Sequence, residues 1–155
     1  MKKDSNWLNR WKAELRGPNG LHVLELGCGD GEDSSFIDRY ARSLISTDIR
    51  VDAIKKNRIN SSIDFRVVDI SKPFPFDNTQ FSCVVASLCL HYFTQSVTRS
   101  SMLEIARISK KGGGLIGRVN STNDVNWGAV GFKEIEKGLF NVGGQSKRFF
   151  DKAAV

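Results

Sequence analysis

The stretch Leu21-His22-Val23-Leu24-Glu25-Leu26-Gly27-Cys28-Gly29-Asp30-Gly31 decides how the chain folds. Leu21, Val23, Leu24 and Leu26 give it the near-continuous apolar character of a parallel strand covered on both faces. Gly27, Gly29 and Gly31 then leave a loop without Cβ atoms at alternate positions. A backbone of that kind can turn to positive φ and approach a ligand closely. Glu32 to Ala41 reads as a helix, with acids in its first turn and Phe36, Ile37, Tyr40 and Leu44 at helical spacing. Strand, glycine loop and helix form the first half of a βαβ unit, whose ligands sit outside the carboxyl ends of the strands.

The loop itself says something about that ligand. Its spacing is Gly-x-Gly-x-Gly, not the Gly-x-Gly-x-x-Gly of the dinucleotide fingerprint. Asp30, Glu32 and Asp33 place carboxylates where a pyrophosphate would bind. At an effective dielectric of about 20, close like charges oppose each other by several kcal/mol. A ligand with cationic groups meets no such opposition. The plain alternative is a tight strand-to-helix turn that holds no ligand.

Outward from this stretch, strand and helix alternate. Trp7, Leu8, Trp11 and Leu15 form one stripe of an amphipathic N-terminal helix that Gly17-Pro18-Asn19-Gly20 ends. Ser43 to Asp48 reads as a second strand, Val51 to Asn60 as a helix, and Ile63 to Asp69 as a third strand. Lys72 to Asn78 is a loop by its prolines and its Asp-Asn pair. The almost wholly apolar run Phe81 to Leu90 is a central fourth strand. Thr94 to Lys111 follows as a helix, stopped by Gly112-Gly113-Gly114, and Leu115 to Asn120 is a fifth strand. The pattern predicts an α/β fold: a doubly wound, mostly parallel, Rossmann-like sheet of about five strands with helices on both faces.

Glu25-Leu26-Gly27-Cys28-Gly29-Asp30-Gly31 resembles motif I of the class I S-adenosylmethionine-dependent methyltransferases. The likeness continues through Val67-Val68-Asp69 and the Lys72–Phe81 loop. It then takes in Ala86-Ser87-Leu88-Cys89-Leu90-His91-Tyr92-Phe93, similar to motif IV of the small-molecule and ribosomal-type branch, and Glu104 to Gly113. It spans roughly residues 21 to 120 in the right order. Where the loop before strand four usually ends Phe-Asp, this chain has Phe81-Ser82. The resemblance implies S-adenosyl-L-methionine as cofactor and S-adenosyl-L-homocysteine as product; both lack phosphate, and the former carries a sulfonium and an ammonium group. It implies a cofactor site made of Glu25, Gly27, Cys28, Gly29, Gly31, Asp48, Ile49, Asp69, Ile70 and Ser87. In that reading Glu25 orients the loop and the methionine end, Asp48 accepts from the ribose hydroxyls, and Asp69 meets the adenine amino group. Asp48 is alternatively a helix cap, and Asp69 an Asx turn. His91 is a candidate base or substrate contact, or a histidine packed at a strand end.

Composition sets the wider frame. At 155 residues, 40% hydrophobic and 26% charged, the chain suits one domain, taken as residues 1–155. Nothing approaches the roughly 18 apolar residues of a membrane span, and the N-terminus lacks a signal peptide's apolar core. Cys28, Cys83 and Cys89 are odd in number and read as reduced thiols, so a cytoplasmic location is expected. His22 and His91 are too isolated to hold a metal. Of the net charge of +6, residues 1–50 contribute nothing, 51–100 an excess of two and 101–155 an excess of four. The expected partner is an unidentified methyl acceptor, a small molecule, with nucleic acid left open by the basic C-terminal half.

After the fifth strand the chain departs from the family. It runs through Gly128, Gly131, Gly138 and Gly143-Gly144, and Asp151 to Val155 reads as a helix just begun. The expectation is a C-terminally truncated domain whose antiparallel strand pair is missing and whose fifth strand is an edge open to self-association. Alternatively residues 121–150 fold back over that edge, with Trp127, Phe132, Phe140, Phe149 and Phe150 as cover. Two other functions stay open: an inactive cofactor- or partner-binding relic of such an enzyme, and a nucleotide-dependent oxidoreductase, which the glycine spacing disfavours.

Overall fold

The apolar strands stack side by side, and their helices return over the two faces. In the computed structural model, which describes residues 6–59, 61–124, 128 and 130–151, five parallel strands form one sheet. They are His22–Leu26 (β1), Ser43–Asp48 (β2), Asp64–Val67 (β3), Phe81–Ser87 (β4) and Ser109–Arg118 (β5), in the order β3-β2-β1-β4-β5. The order reverses between β1 and β4, so the loop after β1 opens at the switch point, where such sheets bind ligands.

Two apolar clusters hold the sheet from its opposite faces. Leu24, Leu26, Val84 and Ala86 pack with Ile105 and Ile108 of the helix Gln95–Ile108. Val23, Leu44, Cys83 and Val85 pack with Phe36 and Ile37 of the helix Glu32–Asp38, and with Leu8 and Leu15 of the N-terminal segment. That segment is a 3-10 turn, Trp7–Trp11, running into a short helix, Lys12–Arg16 (α1). Glu32–Asp38 is α2, Val51–Arg58 is α3 and Gln95–Ile108 is α4. Thr94 caps α4, its hydroxyl accepting from the amide of Val97, as a threonine at that position is suited to do.

The glycine triplet is not a helix stop. α4 ends at Ile108, and β5 starts at Ser109 and runs through Gly112-Gly113-Gly114. The register of β4 on β5 shifts between Phe81 and Cys83, and a Cβ on Gly113 would lie 3.0 Å from the carbonyl of Ser82. A bulge that brings two backbones this close needs a residue without a side chain.

The larger correction concerns the C-terminus: the antiparallel strands expected to be missing are present. Lys133–Glu136 (β6), Leu139–Val142 (β7) and Gln145–Arg148 (β8) form a separate three-stranded antiparallel sheet in the order β6-β7-β8. Val142 pairs with Gln145 across Gly143-Gly144, whose φ values of 61° and 85° suit a two-residue hairpin. These glycines are turn signals, not irregular chain. The little sheet does not extend the large one, so β5 bonds to β4 alone among the described residues. Instead β8 packs on the 3-10 turn Leu90–Tyr92 beyond β4, and Phe150 bridges back to Asn120 and Thr122 after β5. Trp127 and the expected helix start at residues 152–155 lie outside the described residues.

Arg148 locks the small sheet down. Its buried guanidinium pairs with Glu136 and donates to the carbonyls of Lys137 at 2.8 Å and Phe93 at 3.4 Å. Glu136 in turn accepts from the amide of Gln95. Arg148→Met should loosen β6–β8 by about 1–3 kcal/mol, the scale of charge-assisted hydrogen bonds. Amide exchange should speed up across residues 133–148 and stay slow in β1 and β4; unchanged exchange in β6–β8 would refute the role.

Candidate cofactor-binding site

At the carboxyl ends of β1, β2 and β3, backbone geometry and two acids shape one groove. Gly27, Gly29 and Gly31 have φ of 70°, 53° and 80°, all in the left-handed region. Gly27 faces the segment after β4, and a Cβ there would lie 2.5 Å from the Cβ of Cys89. Around Gly29 a Cβ would meet nothing within 4 Å. Asp48 ends β2, and its carboxylate accepts from the amide of Gly29 at 2.9 Å and from that of Arg50 at 2.9 Å. One acid thus ties the glycine loop to the backbone at Arg50, the residue before α3. The guanidinium of Arg50 lies 3.8 Å from Asp48 and 3.6 Å from Asp30.

The groove has a volume of about 590 Å³. Six of the residues expected from the sequence line it: Gly27, Gly29, Asp48, Ile49, Asp69 and Ile70. Asp69 Oδ1 accepts from the amide of Ser71 at 2.9 Å and its hydroxyl at 2.7 Å. These bonds hold the Asp69 carboxyl below the usual carboxylate range. The Asx turn and the place on the groove are therefore compatible. The far wall lies outside the residues expected to hold the cofactor: Leu88, Cys89, Tyr92 and Phe93 come from the motif-IV-like segment after β4, and Gln145, which no sequence signal marks, comes from β8. Leu88 adopts φ 51°, uncommon for a leucine, with its amide donating to the carbonyl of Arg118 at 2.7 Å.

The remaining expected residues stand off the groove. Glu25 is 2% exposed behind the loop, where Oε2 accepts from Ser34 at 2.5 Å and Ser46 at 2.7 Å. Burial pushes its carboxyl up to about 7, against the lowering effect of those two hydroxyls. Cys28 points away from the groove into a cluster with Ile54 and Phe65, and burial raises its thiol to about 12. Gly31 abuts Asn57, whose side-chain amide donates to the carbonyl of Gly29 at 2.9 Å. Ser87 takes a hydrogen bond from Nε of Arg118 at 3.1 Å. His91 is 3% exposed with its Nδ1 unpartnered among the described residues, and its ring packs on Tyr92 with centroids 4.1 Å apart. Burial, with a contribution from Lys147, lowers it to about 4, so the ring is neutral at pH 7. No group of three or more candidate metal ligands occurs among the described residues, and no helix there is long and apolar enough to cross a membrane.

Residues 23–113, most of the sheet with its glycine loop and both acids, match the methyltransferase domain family. The chain belongs to that family, the class I S-adenosylmethionine-dependent methyltransferases, which implies a methyl acceptor. Among curated proteins it is similar to the mRNA cap guanine-N(7) methyltransferase of Saccharomyces cerevisiae, 31% identical over 138 residues that cover 74% of this chain and 31% of the relative. It is 26% identical over 108 residues to an uncharacterized methyltransferase of Synechocystis sp., covering 70% of this chain and 50% of that one. The chain therefore spans half or less of the length of these two relatives. Among solved structures, a SAM-dependent methyltransferase from Methanosarcina mazei superposes with a TM-score of 0.74 at 19% identity, over 91% of this chain and 78% of that one. At that identity the likeness speaks for the fold.

Proposed function

We propose that the groove binds S-adenosylmethionine and that the chain transfers its methyl group to an acceptor seated against the wall formed by Leu88, Tyr92, Phe93 and Gln145. The observation that carries this reading is the Asp48 carboxylate, set on the groove by two backbone amides beside a loop of bare glycines. A volume of about 590 Å³ suits a nucleoside-sized ligand, since pockets for such molecules run from roughly 300 to 1,000 Å³. Each carboxylate oxygen of Asp48 uses one of its lone pairs on an amide and has capacity for a ribose hydroxyl. Asp69 stands one strand further out, with Ile49 and Ile70 as apolar neighbours for the base.

Bound there, the cofactor supplies an activated methyl group. The chain's own part is alignment and exclusion of water, which suffices for a displacement whose demand is geometric. Glu25 acts as a positioning residue: it ties β1 to Ser34 of α2 and Ser46 of β2 and so fixes the ends of the glycine loop. His91, buried and neutral, supports the Tyr92 ring on the acceptor wall. Residues 1–155 work as one cofactor-binding domain, and a small-molecule acceptor fits a groove of this size. The edge of β5 that no strand pairs with among the described residues offers a place for pairing between copies.

Asp48→Ala should weaken S-adenosylhomocysteine by about 2–3 kcal/mol, the scale of hydrogen bonds to a charged group. Calorimetric titration measures it. Adenosine against 2′-deoxyadenosine separates the ribose contact from a merely loosened loop: the wild-type chain should prefer adenosine, and the variant should not. A folded variant with unchanged affinity would remove Asp48 from the site. Binding without turnover of any acceptor would favour the inactive relic.

A further inference from the structure

The cofactor acids stand at the ends of β2 and β3, whereas the opposite flank of the sheet carries an arginine with no acid partner among the described residues. Arg118 ends β5 and pairs in register with Ser87 at the end of β4. Its carbonyl accepts from the amide of Leu88, which lines the groove. Two uncharged groups hold its guanidinium: Nε donates to Ser87 Oγ at 3.1 Å, and Cζ lies 5.0 Å from the centre of the Trp7 ring. Neither terminal nitrogen has a partner among the described residues, and no carboxylate there pairs with it. Asp33, which shares Trp7 with it, is already engaged by Asn6 at 2.9 Å and Trp7 Nε1 at 2.8 Å.

Arg58 donates to the carbonyl of Phe65, and Arg10, Arg16 and Arg39 lie over aromatic rings, while others hold an acid. Arg66 pairs with Asp64, Arg107 with Glu104 and Arg148 with Glu136. Arg118 is instead steadied by a hydroxyl and an aromatic face, with its fork left open at the carboxyl edge where ligands enter such sheets. A guanidinium so held loses little freedom on binding, and its parallel N–H groups match a carboxylate or a phosphate in a way a lysine cannot. Leu88, whose amide donates to the Arg118 carbonyl, lines the groove together with Tyr92 and Phe93 and gives its wall an apolar surface.

We propose that the methyl acceptor carries an anionic group, a carboxylate or a phosphate, on an apolar body, and that Arg118 is the residue that recognises it. This rests on the methyltransferase reading above and names the substrate class for it.

The test titrates benzoate, phenyl phosphate and neutral benzamide separately into protein saturated with S-adenosylhomocysteine, using the wild type, Arg118→Gln and Arg118→Lys. The wild type should bind one of the two anions at least tenfold more tightly than benzamide, and the better anion tells carboxylate from phosphate. Arg118→Gln should erase that preference, and Arg118→Lys should keep only part of it. All three proteins should bind S-adenosylhomocysteine within twofold of one another, because Arg118 lies off the cofactor wall. If Arg118→Gln does not fold, the lysine variant carries the test, since an undiminished preference without the guanidinium fork overturns the proposal. So does a wild type that binds S-adenosylhomocysteine but shows no preference for either anion, including no binding of any probe. A wild type that binds no S-adenosylhomocysteine fails the methyltransferase reading instead.

Discussion

Gly27→Val should leave a chain that neither binds S-adenosylhomocysteine nor reaches the wild-type urea midpoint. Two separate effects converge on this residue. Its φ of 70° lies where a side-chain-bearing residue is disfavoured by about 1–2 kcal/mol, and a β-branched one most of all. Its Cβ would also lie 2.5 Å from the Cβ of Cys89, and overpacking of this kind costs about 1–3 kcal/mol more. A combined loss of about 2–5 kcal/mol is a large part of the stability of an ordinary domain, about 5–15 kcal/mol. Relief requires Cys89 to move, and Cys89 is itself part of the groove wall, so binding fails with packing.

Gly29→Val separates the two effects. Nothing lies within 4 Å of a Cβ there, so the fold should lose little beyond the strain of φ 53°. Binding should still disappear, because the added side chain stands beside Asp48 on the groove. Paired urea and calorimetric titrations of the two variants check this. A Gly27→Val protein with the wild-type midpoint would mean that β4 and the loop do not meet as described. Tight binding by Gly29→Val would move the ligand elsewhere.

What the sequence discloses about this site follows the geometry of strands. Asp48 and Asp69, with Ile49 and Ile70 after them, close short stretches with strand character, and a parallel sheet delivers all such ends to one edge. Which side of the glycine loop faces the ligand is harder to read. Gly27 and Gly29 line the groove while Cys28 between them points back to Ile54 and Phe65, a division set by the left-handed backbone at both glycines and not by strand alternation. Glu25, still within β1, is buried behind the loop and meets Ser34 and Ser46 instead of the ligand space.

Other parts were hidden because they depend on distant partners. No local pattern marks Gln145 as a groove residue, since only the docking of β8 on the turn Leu90–Tyr92 brings it there. Gly113 looks like a helix stop until the carbonyl of Ser82 is seen 3.0 Å from its missing Cβ. The antiparallel sheet is different, for its signal was local. Gly143-Gly144 sits between two short runs that pair directly, a hairpin mark that the glycine-rich surroundings obscured.

The stability of this chain should fall between pH 5 and pH 8, and Glu25→Gln should remove most of that fall. Glu25 is 2% exposed, and burial pushes its carboxyl from 4.5 up to about 7 in the folded chain. The folded state therefore keeps a proton that the unfolded state gives up near pH 4.5. A raised folded value means that the contribution is complete below about pH 4.5 and is lost as the pH rises through about 7. Above that, the folded chain must bury a carboxylate, with Asp33 and Asp48 adding their repulsion. At 1.36 kcal/mol for each pKa unit, the change is on the order of 3 kcal/mol. The hydroxyls of Ser34 and Ser46 soften the penalty by donating to the carboxylate but do not cancel it. Glutamine keeps the shape and one carbonyl acceptor for these hydroxyls, and it carries no charge at any pH. Urea unfolding at half-unit steps from pH 5 to pH 8 should give a falling curve for the wild type and a flatter one for the variant, crossing as the carboxylate forms. Parallel curves would show that Glu25 ionises like an exposed acid. The proton it keeps would then have no part in holding β1, α2 and β2 around the glycine loop.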